Sequence, residues 1–199
     1  MARAPLTAGS SPNPGPDRSC PSQTKPSSTS APISDSLRKS SGYDLDLEKA
    51  VHLIQRSCAR RVGLQAPEGL KRSLPALARQ IEELTGAEVI ISGDPCFGAC
   101  DLDLRLAGEV DLMLHLGHAE LGDGDPKTIF LEARMDYDLS SVARKAVPAL
   151  REKRVGLATT IQHVHRLEVA LEALREEGIE GVAGPAGGRI RHPGQVLGC

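Results

Sequence analysis

RVGLQAPEGLKRSLPALARQIEELTGAEVIIS, residues 61–92, reads as strand, turn, helix and strand in succession. Arg61–Ala66 is an apolar run of strand length, and Pro67-Glu68-Gly69 turns the chain. Leu70, Leu74, Leu77, Ile81 and Leu84 then step by 4, 3, 4 and 3, one face of a helix. Pro75 inside that run is expected to kink the helix or delay its start. Gly86 is expected to cap it, and Ala87–Ser92 to form the next strand. A loop, Gly93-Asp94-Pro95-Cys96-Phe97-Gly98-Ala99-Cys100, leaves that strand at its C-terminal end.

Outward from this stretch the alternation continues. A short helix around Leu45–Arg56 precedes it. After Cys100 a short helix leads to strands at Asp111–Leu116 and Thr128–Leu131. Then the theme returns: Arg154–Ala158 (RVGLA) matches Arg61–Gln65 (RVGLQ) closely. Val164, Leu167, Leu171 and Leu174 make a second helical face, Gly178 ends it, and Ile179–Ala183 is a weak strand. This unit closes on Pro193-Gly194-Gln195-Val196-Leu197-Gly198-Cys199. Each unit thus runs strand, helix, strand, loop, and finishes on a cysteine just after a small residue.

Alternating strands and helices imply repeated α/β domains, each a parallel sheet with helices on both faces. Ligand-binding loops in such sheets lie at the carboxyl ends of strands, where both cysteine loops fall. The expected organisation is a Ser/Pro-rich tail over 1–42, a first α/β domain over 43–150 carrying Cys100, and the start of a second over 151–199 carrying Cys199. That second domain stops at its cysteine, without the helix and strands that follow Cys100, so it reads as incomplete and the chain as truncated.

Composition narrows the function. Residues 1–42 hold 11 Ser and 7 Pro with no aromatic residue, and cannot bury enough apolar surface to offset chain entropy; the tail is expected to be disordered. It carries five Lys/Arg against two Asp, so from a total of −2 the remaining residues carry −5. An acidic folded part with only four aromatic residues in the chain excludes a nucleic-acid surface built on basic clusters and stacking platforms. No apolar run reaches the roughly 18 residues of a membrane span, and no apolar secretory core opens the sequence. The expectation is a cytoplasmic protein.

Five cysteines, at 20, 58, 96, 100 and 199, form an odd, unevenly spaced set that speaks against a disulfide framework. Cys96 and Cys100 make a C-x3-C pair, but Asp103 stands where a radical-enzyme signature would continue with a third cysteine. Zinc would want a full Cys/His set, and a redox dithiol favours C-x2-C. Ligation by cysteines from separated repeats is the remaining idea: thiolates suit iron–sulfur clusters, and three of them leave one iron open to substrate. Cys20 and Cys58 read as small buried residues, and Cys96 as a bystander in the Cys100 loop. Three polar clusters share the expected strand edge: Gln65–Gly69 opening a helix, whose free N–H groups favour anions, His115-Leu116-Gly117-His118, and Thr159–His165. Neither G-x-G-x-x-G nor a Walker A pattern is present.

QAPEGL (65–70), SGDPCFGACD (92–101), HLGHAE (115–120), TTIQHVHRL (159–167) and HPGQVLGC (192–199), in this order, resemble the diphthamide synthase family, particularly its archaeal form. The resemblance covers residues 43–199. It implies three related α/β domains, each lending one cysteine to a 4Fe-4S cluster, here Cys100 and Cys199. It implies a transferase that cleaves S-adenosylmethionine to a 3-amino-3-carboxypropyl radical. That group goes to a histidine of translation elongation factor 2, the first step of diphthamide biosynthesis. A homodimer and an electron donor are implied as well. Gln65, Glu68, Gly69, His118, Gln162 and His163 are the expected substrate-pocket residues, with the helix N-terminus after Gln65 holding the methionine carboxylate. The third cysteine is missing, so a fragment inactive by itself is expected. The alternatives are a non-catalytic partner subunit, as in the family's eukaryotic heterodimers, and a thiol or metal oxidoreductase using Cys96 and Cys100.

Overall fold

Helical crossovers linking three of its strands make the first sheet parallel there and help bury it on both faces. In the computed structural model, which describes residues 42–121 and 125–197, four short strands pair in the order β2-β1-β3-β4, every pair parallel. They are β1 (Arg61–Gln65), β2 (Glu88–Ile91), β3 (Leu112–Leu116) and β4 (Thr128–Leu131). β3 is buried throughout, and β1 from Val62 onward, as a sheet covered on both sides requires. Residues 1–41 of the expected tail and the expected ligand Cys199 lie outside the described residues.

The period-2 alternation of β1 and β3 sorts their side chains. Val62 and Leu64, with Leu112, Leu114 and Leu116, face a core completed by Leu47, Ala50 and Ile54 of α1 (Leu47–Ser57) and Leu74, Leu77 and Ile81 of α3 (Leu74–Thr85). Gly63 and Met113 face the other side, where Leu106 of α4 (Leu104–Glu109) packs with Val110 and Ile90. A Cβ on Gly63 would stand 2.5 Å from Met113 Sδ and 3.2 Å from Leu106 Cγ, so the close seat of this helix depends on glycine. Helices therefore cover both faces, as expected.

Pro75 delays the helix rather than kinking it. A single turn, α2 (Glu68–Lys71), follows β1, and α3 begins afresh at Leu74 with proline in its first turn, where its missing N–H costs nothing. Gly86 closes α3 at φ +71, donating its N–H to the Glu82 carbonyl at 2.8 Å. Cys58 corrects the expectation of a small buried residue: it is exposed at the C-cap of α1, in left-handed backbone, and disulfide-bonded.

The second unit is a parallel pair, β5 (Arg154–Leu157) and β6 (Glu180–Ala183), connected through a short 3-10 turn and α6 (Leu167–Glu176). A helix absent from the sequence reading, α5 (Leu139–Ala146), packs on α6. Ala143 meets Ala170, Ala173 and Leu174 there, with Leu139, Val147 and Leu150 around them. This core is smaller and richer in alanine than that of the first sheet.

Leu64 is fully buried at the centre of the larger core. Leu64→Ala is expected to cost about 2–5 kcal/mol, read as a lowered urea midpoint with an unchanged slope.

Candidate functional site

The strand order places a switch point between β1 and β3. The chain leaves β1 toward β2 on one side and leaves β3 toward β4 on the other, opening a crevice at their carboxyl ends. Gln65 and His115 end these strands as register partners, both on the α4 side of the sheet.

Gln65 is buried, and both ends of its amide are engaged. Nε2 donates to the Asp101 carbonyl at 2.7 Å; Oε1 accepts from the Asp103 N–H at 3.2 Å and lies 3.1 Å from His115 Nδ1. The first two bonds set which end of the amide is oxygen, so His115 Nδ1 carries the proton and Nε2 offers its lone pair. His115 Nε2 meets His118 Nδ1 at 2.9 Å and Cys96 Sγ at 3.9 Å. Burial, with His118 adding to it, holds the His115 pKa down to about 4, so both the ring and its partner are neutral at neutral pH; burial also lowers His118. Burial pushes the Cys96 thiol up.

The loop that brings Cys96 and Cys100 here is tied at several points. Lys71 Nζ donates to the Gly93 and Asp94 carbonyls at 3.1 and 2.8 Å. The Asp101 carboxylate accepts the Phe97 N–H at 3.0 Å. Asp103 caps α4 through the Leu106 N–H and accepts the Ser92 hydroxyl at 2.8 Å. Burial alone would raise its pKa, but these hydrogen bonds outweigh that and hold it low.

Cys100 is an exposed free thiol on a cleft between the two units. Gly98, Ala99 and His118 line it from the first, Thr160, Gln162 and Gln195 from the second, and Leu197 carries the wall to within two residues of Cys199. Of the residues expected in a substrate pocket, His118 and Gln162 therefore share this cleft with Cys100. Gln65 lies behind it, reaching it through His115 and His118. Glu68 and Gly69 sit on an exposed turn at the end of β1, where Glu68 pairs with Lys71. His163 packs edge-on against Tyr137, ring centroids 5.8 Å apart, and does not line the cleft. Cys96 reads from sequence as a bystander and His115 as one member of a polar cluster; that the two meet emerges only from the pairing of β1 with β3.

Several contacts clasp the second loop to the first sheet. His192 Nε2 lies 2.7 Å from Glu132 Oε1, Arg191 pairs with Glu120, and Gln162 Nε2 donates to the Gly117 carbonyl at 3.0 Å. Gln195 Oε1 accepts the N–H groups of Arg191 and His192, and Thr159 bridges Gly194 and Val196. Gly194 has φ +70, and a Cβ there would stand 2.2 Å from Leu167 Cδ2, so glycine is required for the turn.

Fold and cleft together define an α/β protein of repeated parallel units with a thiol- and imidazole-bearing crevice between them. The profile of the diphthamide synthesis protein family matches residues 66–199, and the chain belongs to this family. It is 36% identical over 163 residues to the 2-(3-amino-3-carboxypropyl)histidine synthase of Pyrococcus horikoshii, covering 79% of this chain and 47% of that relative. Against subunit 1 of the Homo sapiens synthase the identity is 32% over 171 residues, covering 80% of this chain and 37% of the relative. The crystal structure of Dph2 from Pyrococcus horikoshii with a 4Fe-4S cluster superposes with a TM-score of 0.72 at 34% identity, over 78% of this chain and 48% of that one. The chain thus spans half or less of the length of these relatives.

Burial would raise the Glu132 pKa, but the hydrogen bonds from His192 and Arg134 outweigh it and hold the carboxyl below its usual 4.5. Its stabilising contribution is then fully present above that pH and is lost as pH falls through the lowered value. Glu132→Gln is expected to lower stability by about 1 kcal/mol at pH 7, with the deficit vanishing in acid, measured as denaturation midpoints against pH.

Proposed function

We propose that this chain takes part in the first step of diphthamide biosynthesis, transferring a 3-amino-3-carboxypropyl group from S-adenosylmethionine to a histidine of translation elongation factor 2. The observation that carries the reading is the meeting of Cys100 and the loop approaching Cys199 on one cleft at the strand ends of both units. The Cys100 thiol is free, and its neighbours Gly98, Ala99 and Ala119 are small, which suits a bulky inorganic group beside it. Cys100 and Cys199 would hold a 4Fe-4S cluster, which supplies the electron for cleaving the sulfonium. The chain's own groups then orient substrate: His118 and Gln162 project into the cleft, the first held by His115 and Gln65, the second by its bond to Gly117. Gln65, Glu68 and Gly69 are assigned to the outer part of the same pocket, and His163, packed on Tyr137, would support it from behind. A homodimer and an external electron donor complete the reading, in the cytoplasm; no helix among the described residues is long and apolar enough to cross a membrane. A dithiol oxidoreductase using Cys96 and Cys100 is disfavoured, since burial keeps the Cys96 thiol protonated and unreactive.

Anaerobic reconstitution with iron and sulfide tests this. Broad visible sulfur-to-iron absorption is expected in the wild type and in Cys96→Ser, and its loss in Cys100→Ser. A Cys100→Ser protein that keeps its full iron content would overturn the reading.

A further inference from the structure

Cys96, His115 and His118 are not among the proposed cluster ligands, yet their donor atoms converge. One ligand atom from each lies within 4.8 Å of the other two. We propose that these three side chains form a mononuclear site for a divalent metal ion of the zinc class, separate from any group held by Cys100.

The spacing is close to that of a tetrahedral metal site. With metal–sulfur bonds of about 2.3 Å and metal–nitrogen bonds of about 2.0–2.1 Å, tetrahedral ligand atoms stand roughly 3.3–3.6 Å apart. The distances of 2.9 Å between the imidazole nitrogens and 3.9 Å from Cys96 Sγ to His115 Nε2 bracket that range, so these two separations need shifts of under half an ångström, and the third, within 4.8 Å, closes as Cys96 and His118 draw onto the ion. The donor set, one sulfur and two imidazoles, is the mixed N/S set that zinc and its cobalt surrogate prefer. One thiol among three ligands is too few for an iron–sulfur cluster, and Cys100 is outside the set.

The surroundings supply what an isolated trio of polar residues lacks. Gln65 accepts the His115 Nδ1–H and thereby directs the Nε2 lone pair at the centre of the trio; Gln65 is itself locked by the Asp101 carbonyl and the Asp103 N–H. A ligand histidine held through its second nitrogen by a fixed acceptor is the usual support of a metal site. Phe130 packs against the same ring, centroids 4.9 Å apart, and limits its rotation. Cys96 and His115 are buried, whereas His118 lines the cleft, so the fourth coordination position opens there to water or a substrate group. Binding is redox-neutral. The metal takes the Cys96 sulfur as thiolate and releases its one proton. His118 moves its proton from Nδ1 to Nε2, freeing Nδ1 as ligand.

The test uses the 199-residue chain, stripped by chelator and titrated with Co²⁺ in the absence of iron. One equivalent is expected to produce visible d–d bands and a near-ultraviolet sulfur-to-cobalt charge-transfer band, with release of one proton, all reversed by Zn²⁺. Cys96→Ser should abolish the charge-transfer band, His118→Gln should weaken binding at least about tenfold, and Gln65→Ala should weaken it about tenfold while keeping the band. Because His118 is only partly buried, its variant tests the site without emptying the core. Cys100→Ser should leave the cobalt spectrum unchanged although it removes the iron absorption, so this site and the cluster reading fail separately. Absence of d–d bands at saturating Co²⁺, or loss of the charge-transfer band in Cys100→Ser instead of Cys96→Ser, would overturn the proposal.

Discussion

A buried amide that must find partners for both its oxygen and its nitrogen organises the crevice. Gln65 ends the central strand with almost no exposure, where an unpaired carbonyl or amino group would cost about 1–3 kcal/mol. Its donor goes to the Asp101 carbonyl and its acceptor to the Asp103 N–H and the His115 ring. One side chain thereby fastens the loop carrying Cys96 and Cys100 to the first strand and orients the histidine of the neighbouring strand. The direction of that histidine's lone pair and its contact with His118 at the cleft follow from this bond set, while burial keeps the ring neutral.

The opposite wall depends on charge and on one glycine. Glu132 and Glu120, at and beyond the ends of β4 and β3, receive His192 and Arg191, which flank the turn at Gly194. Gln195 closes that turn on itself, and Gly194 lets it sit against Leu167 and Leu157. The loop leading to Cys199 is thus held on the first sheet by polar contacts. Surface pairs of this kind are individually weak, and their effect here comes from several acting on one short segment.

Much of the fold was legible. The apolar steps of Leu70–Leu84, the repeat of RVGL and the glycines at 86 and 178 are local signals, and the corresponding strands and helices form within a few residues of expectation. α5 escaped because LSSVARKA has a thin apolar stripe and Val142 is exposed; the one available sign was Asp138, whose carboxylate caps the N–H groups of Ser140 and Ser141. The pocket was legible only in part. His118 and Gln162 reach the cleft, whereas His163, one residue on, turns to Tyr137 because its backbone closes a tight turn on Thr160.

By itself the sequence determined the periodicities, and so the succession of strands and helices, the parallel class of the sheet and the edge at which both cysteine loops fall. These follow from interactions between residues a few positions apart. Only the tertiary structure decided which polar residues meet. Gln65 and His115 are 50 positions apart and touch because β3, not β2, lies on that side of β1 and pairs in one particular register. A shift of one residue would send His115 to the opposite face of the sheet, away from Cys96 and the cleft. That choice is made by burial of Val62, Leu64, Leu112 and Leu114 against α1 and α3, a packing among distant segments that no local pattern records.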